Sequence, residues 1–304
     1  MKSLIDSMKD AFQRLNDTVA NSVANSEANS EAQDKGRWRA DGRVPFGLWI
    51  PNRMVVMGAG SLTFIAGRPG VGKTSLALHV ARTAAHAQHP VLIICPAAKD
   101  EEIATRLTCA EARVDLDRLH LGYLTPSDWN SMTEAAIRLR ELAVSIDDVP
   151  FVTAESLGRT VDRFCEVAGR ERCPLVVVDY VQMIRANPRR QNRYEELCDV
   201  SFELKCIARR TDVAVLTVSM MNRSIDDRGP DAIPHLSDLR DSGTLEDDAD
   251  AVLLLHRPLR GQDEDHSCRS IIIAKNRHGR LGTVRARVGL DGSWDEPRES
   301  EDPA

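Results

Sequence analysis

From about Val44 onward, short runs of aliphatic and β-branched residues alternate with stretches whose apolar positions recur every three or four residues. The runs predict strands at 62–66, 91–95, 120–123, 151–153, 175–179, 213–219, 251–256 and 270–275. The periodic stretches predict helices at 74–86, 100–110, 127–144, 156–170 and 194–210. In the last of these, Leu197, Val200, Leu204 and Ile207 form one stripe, with Glu195, Glu196, Glu203 and Arg209 mostly off it. That stripe is core rather than a ligand surface. Strands that are apolar throughout and separated by helices are buried on both faces. This implies an α/β fold with a mostly parallel central sheet and helices on both sides.

Before Val44 the pattern is different. Leu4, Ile5, Met8, Phe12, Leu15 and Val19 fall at helical spacing and predict one short amphipathic helix. From Ala20 to Ala32 the phrase Ala-Asn-Ser recurs, with almost no large apolar residue after Val23, which reads as a linker. Docking on a neighbouring subunit and a disordered tail both fit this segment. The expected organisation is a helix and linker over 1–43, one large domain over 44–294, and an acidic, proline-containing tail over 295–304.

Composition narrows the class. The 304 residues are 42% hydrophobic but only 4% aromatic, so aliphatic side chains must build the core. No apolar run approaches the roughly 18 residues that a membrane span needs. The charged first ten residues lack an apolar signal core, so no membrane partner is expected and a cytoplasmic location is. Seven cysteines without a CxxC pair read as reduced thiols rather than a zinc site or a disulfide framework. A formal charge of −6 argues against a protein that coats nucleic acid over its whole surface, but leaves room for a local basic channel.

The chemistry begins at Gly67-Arg68-Pro69-Gly70-Val71-Gly72-Lys73-Thr74, which has the full spacing of a phosphate-binding Walker A loop. It follows a predicted strand and opens a predicted helix, the context the motif requires. Glycines let backbone N–H groups turn toward phosphate oxygens, and the helix N-terminus adds a favourable dipole. Lys73 is expected to reach the β- and γ-phosphates of ATP, and Thr74 to offer its hydroxyl to Mg²⁺. Ser75 completes the candidate nucleotide-binding stretch. Downstream, Leu175-Val176-Val177-Val178-Asp179 is an apolar strand ending in a carboxylate, the Walker B pattern, so Asp179 is the second candidate magnesium ligand. Arg185, Arg189, Arg190 and Arg193 crowd the loop behind it. A channel surface for phosphate backbones and an ordinary exposed basic loop both account for that cluster.

Several phrases together resemble one family, the DnaB-type hexameric replicative helicases with a RecA-like motor domain. They are Asp179-Tyr180-Val181-Gln182-Met183-Ile184, Asn222-Arg223-Ser224, Leu236-Ser237-Asp238-Leu239-Arg240-Asp241-Ser242-Gly243, Glu246-Asp247-Asp248-Ala249-Asp250, and Ile273-Ala274-Lys275-Asn276-Arg277-His278-Gly279 with Gly282-Thr283-Val284 behind it. The resemblance runs from about Val44 to Val288. It implies an ATP-dependent helicase or translocase, working on single-stranded DNA as a ring-shaped homo-oligomer of six, with replication proteins as further partners. Arg240, Asp241 and Gly243 are expected on the loop that meets DNA. Arg277 is expected to act as an arginine finger on the next subunit's ATP, assisted by Lys275. Taken alone, Lys275 and Arg277 read as a solvated strand end. The family's separate N-terminal, primase-interacting domain has no counterpart in the forty-odd residues before Val44.

Two positions depart from the family. Ala97 stands where the family has the glutamate that activates water, and Met220 where it has a glutamine that senses the γ-phosphate. Asp100, Glu101 and Glu102 are close in sequence but are expected to begin the next helix as its N-terminal charges. A helicase, a nucleotide-gated DNA-binding ring with weak hydrolysis, and a RecA-like ATPase acting on other substrates are the three functions that fit. The 237–243 phrase counts against the third.

Overall fold

The computed structural model describes residues 2–3, 43–168, 171–187, 190–222, 224–229, 232–239, 243–258 and 266–296. In its first half these form β1 (Lys2–Ser3), α1 (Trp49–Met54), β2 (Leu62–Gly67), α2 (Lys73–His86), β3 (Val91–Ile94), α3 (Asp100–Ala112), α4 (Leu116–His120), α5 (Pro126–Arg140) and β4 (Val144–Asp147). There follow α6 (Ala154–Ala168), β5 (Leu175–Val178), α7 (Arg193–Thr211), β6 (Ala214–Met220), α8 (Ser224–Asp227), α9 (Gly243–Asp248), β7 (Ala251–His256), β8 (Cys268–Asn276), β9 (Gly282–Val288) and β10 (Trp294–Asp295).

The strands make one sheet in the order β1-β4-β3-β5-β6-β2-β7-β8-β9-β10. Pairings from β4 across to β7 are parallel, and those at the two margins are antiparallel. The alternation of side chains along each central strand splits the core in two. On β2, Ile65 joins one apolar cluster with α2 and α3, while Leu62, Phe64 and Ala66 join another with α6 and α7. That split is why the central strands are buried along nearly their whole length, and the α/β sheet expected from the pattern is the one observed. None of the seven cysteines forms a disulfide.

The departures from the predicted elements are local. Residues 120–123 do not form a strand. Asp115 caps α4 through the N–H of Asp117, and the chain then turns at Gly122, whose φ of 75° suits glycine. Residues 151–153 contribute only an isolated bridge from Thr153 to Arg185, and Phe151 stands exposed. The hydroxyls of Thr153 and Ser156 instead bond each other's backbone N–H groups at the start of α6. The predicted 127–144 helix ends at Arg140, because Val144 and Ile146 pair with β3 as the buried side of β4. β9 and β10 were not foreseen as strands. Of the expected N-terminal helix, residues 4–19 lie outside the described residues, and Ser3 pairs with Ser145 in β1. The fold continues past 294. Asp295 pairs with Arg113 and the Glu296 carboxylate accepts from Trp49 N, so of the expected tail only 297–304 is unaccounted for.

α2 is pinned from both sides. Glu111 of α3 accepts from Arg82 and His86 of α2 and from Arg138 of α5, and despite burial these partners hold its pKa down at about 2. Facing Gly47, the buried His79 imidazole has its pKa lowered to about 4, first by desolvation and then by the Arg82 charge, with Arg113 and Asp295 in opposition to one another nearby. A depressed histidine favours the fold only while neutral. Its contribution is complete above pH 6.5 and is lost as pH falls toward 4, a swing on the order of 3 kcal/mol at about 1.36 kcal/mol per pKa unit. Denaturant melts of His79→Gln across pH 4–7 should therefore show a flatter pH dependence than the parent. Parallel profiles would rule out His79 as the titrating group.

Candidate nucleotide-binding site

The carboxyl ends of parallel strands put their loops on one edge of the sheet, and β2, β3, β5 and β6 bring four loops together there. β2 runs into the loop 67–72, which turns into α2. Gly70 (φ 74°) and Gly72 (φ 103°) take left-handed backbone that a side chain would strain. At Gly72 a Cβ would also lie 3.0 Å from the Trp294 ring. The first turn of α2 therefore presents free N–H groups toward the loop, a ready anion site.

The side chains of this stretch divide into two sets. Lys73 and Thr74 face the loop's concavity. Lys73 Nζ donates to Arg68 O at 2.8 Å, and Thr74 Oγ1 donates to Asp179 Oδ2 at 2.6 Å. Arg68, Val71 and Ser75 turn outward or bind the frame. Arg68 donates to the carbonyls of Ile225 and Gly229, and the Val71 carbonyl accepts from Arg269. Ser75 Oγ donates to Gly292 O at 2.7 Å and accepts from Trp294 Nε1 at 3.0 Å. Ser75 thus anchors the C-terminal strand. Trp294, fully buried, is a site-shaping residue that the sequence signal missed. Its only clue was a large aromatic after the glycine-rich turn 289–293.

Asp179 sits at the end of β5, its N–H donating to the Ile94 carbonyl of β3. Burial raises its pKa, opposed by the Thr74 hydrogen bond and by Lys73. Burial likewise lowers the pKa of Lys73, opposed by Asp179. Each is a charged group short of partners, as expected where a phosphate and a divalent cation supply the rest. Among the described residues no group of three or more His, Cys, Asp or Glu side chains could hold a metal by itself. One hydroxyl and one carboxylate at 2.6 Å fit magnesium, which keeps most of its coordination for water and phosphate oxygens.

The two departures are visible in space. Ala97 is exposed on the turn between β3 and α3, offering a methyl group and no acid. The acids that follow are occupied in α3. Asp100 is buried and accepts from Glu101 N, and Glu102 pairs with Arg106 at 2.8 Å. Met220 ends β6, where its N–H donates to Gln182 Oε1 at 3.3 Å, and Gln182 Nε2 donates to Ser219 Oγ at 2.9 Å.

Lys275 and Arg277 lie at the other end of the sheet. Lys275 pairs with Val252 at the start of β7, whereas the phosphate loop begins level with Leu255. Lys275 donates to the carbonyls of Glu246 and Asp247, and Arg277 donates to Asp247 O, so both cap the negative end of α9. Burial and the Arg277 charge lower the pKa of Lys275. From Asp250, beside Arg277, to Leu255 is about 16 Å along the strand, farther than an arginine extends. This subunit's Arg277 does not reach its own phosphate loop.

The arginine loop is less open than its charge suggested. Arg185 and Arg193 both pair with the buried Glu196, and Arg193 also donates to the Gln182 carbonyl. Arg190 pairs with Asp199 at 2.6 Å. Arg189, Arg240 and Asp241 lie outside the described residues, and Gly243 begins α9.

The chain matches the DnaB-like helicase C-terminal domain family over residues 52–289. It is 35% identical over 228 residues to the replicative DNA helicase DnaB of Geobacillus stearothermophilus, covering 74% of this chain and 49% of that protein. It spans about half the length of the curated relatives it matches. Among solved structures, one described as an ATPase domain superposes with a TM-score of 0.79 at 26% identity, covering 85% of this chain and 94% of that one. A DnaB-like replicative helicase, described with its primase interactions, also gives 0.79 at 22% identity, a likeness of fold, covering 97% and 76%. By sequence match over most of its length, and by the RecA-like arrangement of its sheet, the chain belongs to the DnaB-like helicase C-terminal domain family.

Proposed function

We propose that this chain is the motor of a replicative helicase, an ATP- and magnesium-dependent translocase that moves on single-stranded DNA as a ring of six identical subunits. The observation that carries the nucleotide part is the 2.6 Å contact between Thr74 and Asp179, beside a desolvated Lys73. Lys73 neutralises charge on the β- and γ-phosphates, the α2 N-terminus binds their oxygens, and Thr74 and Asp179 orient the magnesium shell. Magnesium when bound screens the phosphates and withdraws charge from the transferring group. The distance of Arg277 from its own loop supports its use in trans, across a subunit boundary, with Lys275 beside it. The names of the relatives support the replication setting and DNA as the track. With 240–241 as the expected DNA contact, binding would depend on phosphates and weaken as salt rises.

Ala97 has no carboxylate to position water, so hydrolysis by this subunit is expected to be slow, by about 10²–10⁴-fold for a missing general base. Steady-state ATP turnover with and without single-stranded DNA tests this directly. DNA-stimulated turnover is expected for a motor, and DNA binding with no turnover at all would mark a nucleotide-gated ring instead. Lys73→Ala should abolish binding of a fluorescent ATP analogue, and unchanged affinity would remove the nucleotide site. Arg277→Ala should lower turnover by about 10³-fold or more while leaving analogue binding intact. A monomer by light scattering with ATP and DNA present would contradict the ring.

Asp179→Asn separates stability from function. The raised pKa of Asp179 means that its ionised form destabilises the nucleotide-free fold at pH 7, a cost absent only at pH values below its unfolded pKa. The amide should raise the melting temperature of the nucleotide-free protein at pH 7. It should also remove magnesium-dependent nucleotide binding. A lower melting temperature would contradict the desolvation argument.

A further inference from the structure

The phosphate loop is tied to α8 and the turn after it. Arg68 makes both ends of the tie. Its carbonyl accepts from Lys73 Nζ at 2.8 Å. Its guanidinium donates to Ile225 O at 3.0 Å and Gly229 O at 3.1 Å, and pairs with Asp226 at 3.0 Å. These partners are α8 and the turn after it. From that turn Arg228 pairs with the buried Asp238, whose carboxylate also accepts from His235 N at 2.7 Å. Asp238 O accepts from Asn222 N at 2.7 Å, and Met221 bridges Leu239 in antiparallel fashion. The described residues between 222 and 239 are thus joined at the neck, where Asn222 meets Asp238, and again through the Arg228–Asp238 pair. Leu239 immediately precedes Arg240, the first residue of the expected DNA contact.

We infer that Arg68 is a positioning residue that relays occupancy of the phosphate loop to the 222–239 loop, and so to the DNA-facing residues behind it. The inference rests on the nucleotide and DNA reading above and adds the path between the two sites. The phosphates of ATP compete for the Lys73 ammonium that now rests on the Arg68 carbonyl. Glycines at 70 and 72 let the loop change shape when that bond is exchanged. All three partners hold one guanidinium nitrogen, Nη2, at the far end of the side chain, so a shift of the Arg68 backbone pulls on Ile225, Asp226 and Gly229 together. Residues 225–229 either follow it or give up bonds, and either outcome gives bound and free states different energies, which coupling requires. A cavity of about 170 Å³ between Pro69 and Val71 on one side and Met221, Ile225 and Pro234 on the other leaves room for the movement. Met220, with a thioether in place of the family's amide, is a poor direct sensor on β6.

The test is amide hydrogen exchange on the full chain, with magnesium and a non-hydrolysable ATP analogue at saturation for each protein, against nucleotide-free samples. In the parent, 67–76 should gain protection and 222–239 should change its exchange by about 5-fold or more, the lower end of ordinary site-to-site coupling. Arg68→Met should remove the response throughout 222–239. Arg228→Met keeps the Arg68 tie and breaks the next one, so its response should survive at 224–229 and vanish at 235–239. A merely structural role would not produce that graded pattern, and the second variant stands by itself if the first does not fold. Protection at 67–76 with no change at 222–239 in the parent, or a full response in either variant, would overturn the relay. No protection at 67–76 in the parent would remove the nucleotide reading and the relay with it. A titration of labelled single-stranded DNA completes the test. Analogue-dependent affinity in the parent that Arg228→Met lacks supports the relay, whereas an intact exchange response in a parent that binds no DNA supports the relay and removes the DNA reading.

Discussion

Two opposite, half-buried charges at one edge of the sheet, Lys73 and Asp179, are the constraint around which the molecule is arranged. Neither is fully compensated by the other, since desolvation pushes the ammonium toward losing its proton and the carboxylate toward gaining one. Holding such groups in place requires a rigid frame. β2 and β5 supply it from inside a sheet covered on both faces, with β6 between them. The Thr74 hydroxyl and the Ile94 carbonyl then fix Asp179 from two directions.

The frame is secured from a distance. Trp294, at the far end of the chain, fills the space under Gly72 and ties to Ser75, while Arg269 holds the Val71 carbonyl. The C-terminal hairpin is therefore part of the phosphate loop's support. At the opposite edge, Asp250 accepts from Leu62 N and from Lys205, and its carbonyl accepts from Arg277 N. That buried carboxylate joins β2, α7 and β8. It gives Arg277 a fixed backbone, while the guanidinium rests on α9.

Arginine has several tasks in this chain, and position decides among them. Arg185, in the loop after β5, and Arg193, at the start of α7, both pair with Oε2 of one buried acid, Glu196, whose charge would otherwise be costly. Arg68, although inside the phosphate motif, points away from it and holds α8. Charge counting along the chain cannot distinguish such guanidinium groups from those exposed to a nucleic acid. The difference lies in which carboxylate the fold brings within reach.

The central strands were legible in the sequence because a strand buried on both faces is apolar at nearly every position, as in Val91–Ile94 and in residues 251–255 of β7. The phosphate loop was legible because its chemistry admits few residue types at fixed spacing. The short edge elements were not. Val144–Asp147 carries only a four-residue alternation next to a helix of similar composition, and its pairing with β3 decides its state. Residues 120–123 are β-like in composition, but the Asp115 cap and the turn at Gly122 draw them into a helix end. The sequence by itself determined the α/β class, the nucleotide motif and the residues that depart from the family, since each is written in contiguous text. Only the tertiary structure decided that Ser75 faces Trp294, that Arg68 holds α8, and that Arg277 lies a strand's length from its own phosphate loop. Those facts depend on partners far apart in the chain, which local periodicity and spacing do not encode.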